Sequence, residues 1–318
     1  MPEQPRSSAL SEDLTPGEIF AEAPAEVTVD AIMSEAGGAA GEPLPRRRRK
    51  LGFGFWLAAF WMVLIIALAA LAPVLPLADP DQVGDGPANS GFSTSNWLGT
   101  DRLGRDLLSR TIWGARISLV VGFVAVAFGL LVGGAIGLLA GYYRGIFDRL
   151  IMRMVDILLA FPAIVLGLAL VTFLGRDFQN LLLAIGVLSI APIARLSRAN
   201  TLQWAERDFV TAARGLGAKG RRILAREVLP NVLLPMLALA LLGVAIAIIA
   251  EGTLAFIGLS VEDPTSTWGK MIFAGKGELE DAPQAAFVPA AFMFFTVLAL
   301  NFAGDRLRQF IDVRQSAL

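Results

Sequence analysis

The run ISLVVGFVAVAFGLLVGGAIGLLAGYY, Ile117–Tyr143, contains no charged residue. A hydrocarbon core about 30 Å thick takes roughly 20 apolar helical residues, so this run is long enough to cross a membrane. Leu51–Ala78, Val228–Ala250 and Ala282–Gly304 share that character. Two shorter runs, Ile157–Gly175 and Phe178–Ala194, reach spanning length if helix continues into Asp156 and Arg195, whose side chains can extend to the interface. The expectation is an all-α polytopic membrane protein with six transmembrane helices, at 51–78, 117–143, 154–175, 178–198, 228–250 and 283–304. The first run is too long for the apolar core of a secretory signal and further spans follow it, so it reads as a retained anchor.

Composition agrees. Of 318 residues, 55% are hydrophobic and 17% charged, against about 25% charged in a soluble domain. The 27 Lys+Arg and 28 Asp+Glu leave no basic excess that would argue for nucleic acid. Cysteine and histidine are both absent, which removes disulfides, thiolate and imidazole metal ligands and the usual general base. The only lysines are Lys50, Lys219, Lys270 and Lys276, and none lies in a G-x-x-x-x-G-K-[ST] phosphate loop. The chain therefore reads as a non-enzyme that binds no cofactor itself.

Charge asymmetry sets the expected topology. With both ends inside, cytoplasmic segments hold 20 Lys/Arg and outer segments seven, Arg102, Arg105, Arg110, Arg116, Arg176, Lys270 and Lys276. Positive-inside bias then places both termini in the cytoplasm. The cluster Arg46-Arg47-Arg48-Arg49-Lys50 is the strongest determinant and a contact for anionic lipid. Residues 1–45 carry nine acids against Arg6, so 1–50 reads as a disordered acidic cytoplasmic tail ending in that cluster. Residues 306–318 form the expected cytoplasmic C-terminus.

Three loops carry further information. In the cytoplasmic connection at 199–227, Phe209, Ala212, Ala213 and Leu216 repeat at i, i+3, i+4, i+7, giving one small apolar helical face. Gly217 follows at a C′-like position. That face suits either a groove on a partner or the bilayer surface. The outer loop at 79–114 is expected to hold an interfacial helix with Leu103, Leu107 and Leu108 on its apolar side and Asp106 paired to Arg110 at i, i+4. An outer brace and a substrate contact are both open readings of it. Glu251 sits at the outer part of the fifth span, as a functional intramembrane acid or as a snorkelling helix-end residue.

Together these stretches resemble a known family. NWLGTDRLGRDLLSRTIWGARISLVVG (96–122) is similar to the segment preceding the second span in the C-type membrane subunit of dipeptide, oligopeptide and nickel ABC importers. VDILLAFPAIVLGLAL (155–170) resembles that family's third span, and ERDFVTAARGLGAKGRRILAREVLPN (206–231) its "EAA" coupling segment. LAFIGLSVEDPTSTWGKM (254–271) and NFAGDRLRQFIDVR (301–314) also match in kind. The resemblance implies a type I ABC importer permease fold over 115–305. It also implies a coupling helix of Phe209, Val210, Thr211, Ala212, Ala213, Arg214, Leu216, Gly217 and Ala218 that docks on an ATPase. Gly99, Thr100, Asp101, Gly104, Arg105, Asp106 and Arg110 match its outer-segment motif. Thr211 replaces the family's usual glutamate, Glu227 a common histidine, Ser266 a usual proline, and IDVR a proline-containing ending. The implied function is uptake of peptides, or alternatively of nickel or another small solute, across the bacterial inner membrane. Implied partners are a second homologous permease, two ATPase subunits that bind the ATP and Mg, and an extracytoplasmic binding protein. A secondary transporter is the distant alternative. It would need inverted repeats and mid-membrane ionisable groups, and neither is evident.

Overall fold

The computed structural model describes residues 52–315, with side chains to Phe310. The acidic tail and its basic cluster lie outside the described residues.

Helices account for the membrane-spanning part. They are α1 (Phe53–Leu71), α2 (Leu107–Tyr143), α3 (Gly145–Ala160), α4 (Ala163–Leu174), α5 (Phe178–Ala205), α6 (Asp208–Gly215), α7 (Gly220–Ile223), α8 (Leu229–Phe256), α9 (Trp268–Gly275) and α10 (Gln284–Gln315). A π turn, Leu224–Val228, joins α7 to α8. Pro230 lacks an amide, and the turn before it re-registers so that the Leu229 amide reaches back to the Leu224 carbonyl. Five helical stretches are long and apolar enough to cross a membrane, and a bent pair makes up to six.

The bent pair revises the expected third span. Residues 154–175 are not one helix: α3 and α4 meet at 89° across Phe161–Pro162. Pro162 disfavours helical backbone at the residue before it, and Phe161 is extended (φ −81°, ψ 137°). With 12 residues, α4 is about 18 Å long. Other bounds shift less. α1 stops at Leu71, before the prolines at 73 and 76. α10 runs on into the segment expected as a separate C-terminus.

The most extensive helix pairing is α2 against α5. Gly129, Gly133, Gly137 and Gly141 recur every fourth residue and so line one stripe of α2. A Cβ at Gly129 would lie 2.6 Å from Ser189 Cβ, and one at Gly141 would lie 2.9 Å from Thr201 Cβ. At Gly133 and Gly137 it would strike the Ile190 and Ala194 carbonyl oxygens. The Ser197 hydroxyl crosses the seam to donate to the Gly134 carbonyl at 2.8 Å. Lipid offers no hydrophobic drive between helices, so close backbone approach and such bonds carry the association. α8 and α10 complete the core around Val121, Leu181, Ile185, Ile248 and Leu300. α1 leans on α10, where Trp61 Nε1 donates to Thr296 Oγ1 at 3.0 Å.

Candidate coupling surface and outer cap

The α6 segment has two faces of opposite fate. Val210 is fully buried, packed with Trp204, Ile223, Leu224, Val228, Val232 and Met236. Ala213 and Ala218 close over that cluster. On the other side Leu216 is 88% exposed and Phe209 38% exposed, with Ala212 beside them. The i, i+3, i+7 apolar repeat is therefore the outward face, and the sequence periodicity alone did not single out Val210 as the anchor.

The end of α6 is fixed by its own hydrogen bonds. Gly217 has φ +78°, and the Gly217 and Ala218 amides donate to the Arg214 and Ala213 carbonyls at 2.9 and 3.0 Å. This pair of bonds is the Schellman closure, which wants glycine at C′. The chain then turns into α7 and the π turn. Arg214 lies over the Tyr142 ring (5.9 Å to its centroid) and Arg207 over Trp204 (5.3 Å), so these cations flank the face without covering Leu216. Thr211 is exposed on the same helix.

Ion pairs brace the same end of the bundle. Arg198 grips Asp148 through Nε and Nη2 at 2.5 and 2.6 Å, tying α5 to α3. Arg195 bonds Asp156 across the same helix pair. Arg144 meets Glu206 at 2.7 Å.

At the opposite end, the outer-segment residues fold into a cap that satisfies itself. Asp101 Oδ1 accepts the Leu103 and Arg105 amides at 2.8 and 3.0 Å, and its Oδ2 takes Arg105 Nε at 2.7 Å. Gly99 and Gly104 both have positive φ (81° and 70°). A Cβ at Gly104 would strike the Gly86 carbonyl oxygen. Thr100 donates its hydroxyl to the Pro87 carbonyl.

Two expectations are corrected here. No separate interfacial helix forms, because residues 96–106 are looped and α2 starts at Leu107. Nor does Asp106 pair with Arg110. It is the N-cap of α2, accepting the Ser109 amide at 2.7 Å and Asn96 Nδ2 at 3.1 Å, and an N-cap carboxylate is held by first-turn amides. Arg110 turns instead to the Pro80 carbonyl at 2.7 Å, with Asp81 and Asp101 at 3.6 and 3.7 Å.

Glu251 does not snorkel. It is fully buried inside α8, taking bonds from Ser260 Oγ (3.1 Å) and Ser118 Oγ (3.3 Å). The Trp268 amide donates to Ser118 Oγ at 3.2 Å, and its indole Nε1 donates to the Thr111 carbonyl at 3.0 Å. The carboxyl thus joins α2, α8 and the loop leading to α9. The sequence marked Glu251 alone; the hydroxyl-rich Ser260, Ser266, Thr267 stretch was the available signal for its partners.

Residues 133–316 match the family described as "Binding-protein-dependent transport system inner membrane component". A protein named "Glutathione transport system permease protein GsiD" from Pectobacterium atrosepticum is 39% identical over 256 residues, covering 80% of this chain and 85% of that protein. Its namesake in Escherichia coli O157:H7 is 40% identical over 256 residues, covering 80% and 84%. Among solved structures, two crystal forms titled as inward-facing conformations of the MetNI methionine ABC transporter share the fold. The TM-scores are 0.54 and 0.55, both at 20% identity, covering 64% of this chain and 96% or 97% of theirs.

Proposed function

This chain belongs to the binding-protein-dependent transport system inner membrane component family, as a multi-pass permease subunit of an ABC importer, and we infer that it carries short peptides of glutathione's class. Such a subunit is a transport component, not an enzyme. In the proposed assembly it forms half of the translocation pathway beside a second homologous permease. Two ATPase subunits hold the ATP and Mg, and an extracytoplasmic binding protein delivers the cargo. Both termini face the cytoplasm, as the basic residues of the α3 and α5–α8 loops favour.

Coupling runs through α6 in this reading. The observation that carries it is the split between buried Val210 and exposed Leu216. One side of the helix is welded to α2, α5 and α8 through the Val210 cluster, while the other presents Phe209, Ala212 and Leu216 to a partner groove. Closure of the ATPase pair would push this face. The Val210 cluster would pass the displacement to α5 and the Asp148–Arg198 and Arg195–Asp156 pairs would pass it on to α3, rocking the permease pair as rigid bodies between inward- and outward-open states. Thr211, in place of the family's usual glutamate, puts an uncharged hydroxyl on this helix, so that position offers the partner no charge.

Purification of the tagged chain from its native membranes tests the assembly. The expected eluate contains an ATPase and a second permease in stable proportion, and an eluate holding neither contradicts it.

A further inference from the structure

One feature of the bundle serves neither coupling nor the outer cap. A groove of about 590 Å³ opens between α1 and α2, lined by Ile66 and Ala70 on one side and by Arg116, Val120, Phe123 and Val124 on the other. That volume lies in the range of small-molecule sites, about 300–1,000 Å³. The α2 residues repeat at i, i+4, i+7, i+8, so they form one stripe that runs down from Arg116. Ala69 and Leu119 are buried at its floor. Below Arg116 the lining is entirely apolar.

Arg116 is exposed, and its described contact is the Trp113 ring, 5.8 Å from Cζ. The neighbouring Arg105 and Arg110, by contrast, are held by Asp101 and Asp81. Depth explains the difference. α2 has 37 residues, about 55 Å at 1.5 Å per residue, against a hydrocarbon core of about 30 Å. The excess stands outside the core, and the charges of Arg110 and Arg116 put the first turns there. Arg116 lies nine residues below Leu107, about 14 Å along the axis, and the charge-free run begins at Ile117. The guanidinium is thus at headgroup level, directly above an apolar channel.

We propose that this groove is a phospholipid site, with one acyl chain lying between α1 and α2 and Arg116 holding the phosphate of an anionic lipid. A guanidinium takes phosphate oxygens in pairs. A lipid brings its phosphate to that depth through its own architecture, whereas an apolar helix in the groove would leave Arg116 without a counter-charge. The small side chains of Ala69 and Ala70 make room for the chain. The proposal rests on membrane insertion of α1 and α2 and is independent of peptide transport and of ATPase coupling.

The test is lipid retention by the assembled transporter, purified in mild detergent, with phosphatidylglycerol and phosphatidylethanolamine quantified per complex by mass spectrometry. Wild type and Arg116→Lys are expected to retain roughly one more phosphatidylglycerol than Arg116→Gln. Ala70→Phe, which fills the groove and keeps the charge, is expected to lose it too. Arg176→Gln, at an exposed arginine elsewhere, should match wild type. Equal phosphatidylglycerol in wild type and Arg116→Gln overturns the proposal. So does an equal loss of phosphatidylethanolamine, or capture of only a protein chain by a photo-crosslinker at Val120.

Discussion

The amide of Ala218 donates to the carbonyl of Ala213 at 3.0 Å, across Gly217 at φ +78°. This closure fixes the exposed end of α6 relative to its buried root at Val210. A non-glycine residue at Gly217 pays about 1–2 kcal/mol for left-handed backbone, and nothing nearby blocks a side chain, since no atom lies within 4 Å of its Cβ position. Gly217→Trp is expected to insert and express normally while abolishing uptake. Uptake at the wild-type rate by membranes carrying that variant would show that the helix end does not need this geometry.

Val210 and Leu216 should separate stability from assembly. Val210→Ala removes buried methyls and is expected to destabilise by about 1–3 kcal/mol, seen as a lowered Tm of the detergent-solubilised chain. Leu216→Ala should leave that Tm unchanged and weaken retention of the ATPase by about tenfold or more, as for loss of an interface anchor. The opposite pattern would assign the faces the other way round.

The glycine stripe on α2 predicts a difference between two glycines three residues apart. Gly137 faces the Ala194 carbonyl oxygen and Ser197, whereas a Cβ at Gly134 would meet only Leu130 Cδ1, at 3.9 Å. Gly137→Leu forces α2 from α5 and should cost at least about 1–3 kcal/mol, read as loss of folded protein on size-exclusion chromatography. Gly134→Leu should elute as wild type.

Glu251 predicts a graded response. Glu251→Ala leaves the Ser118 and Ser260 hydroxyls without their acceptor, at about 1–3 kcal/mol for each orphaned group. Glu251→Gln keeps a carbonyl oxygen and should fall between it and wild type in thermal unfolding. Equal losses for the two variants would mean that the charge, not the bonding capacity, holds the loop before α9.

Much of this architecture was legible in the sequence because the bilayer admits few solutions. Charge-free runs locate most of the spans, and a terminal glycine after an i, i+3, i+4, i+7 repeat locates α6 and its end. Three things were not legible. The 89° bend at Phe161–Pro162 lies inside an apolar run, where hydropathy cannot distinguish a straight span from a broken one. The partners of Arg110 are decided by Asp106 acting as N-cap, so the i, i+4 spacing alone misassigned the pair. The glycines at 129, 133, 137 and 141 recur every fourth residue, but only the facing α5 backbone shows what they admit.

The account turns on the exposed face of α6 meeting an ATPase. The chain contains no cysteine, so Leu216→Cys supplies its sole thiol for attachment of a maleimide photo-crosslinker in the assembled transporter. Irradiation is expected to yield an adduct of this chain with an ATPase subunit from Leu216→Cys and none from Arg102→Cys on the opposite end of the bundle. Labelled Leu216→Cys that retains uptake yet gives adducts only with lipid, or with no ATPase, would contradict it.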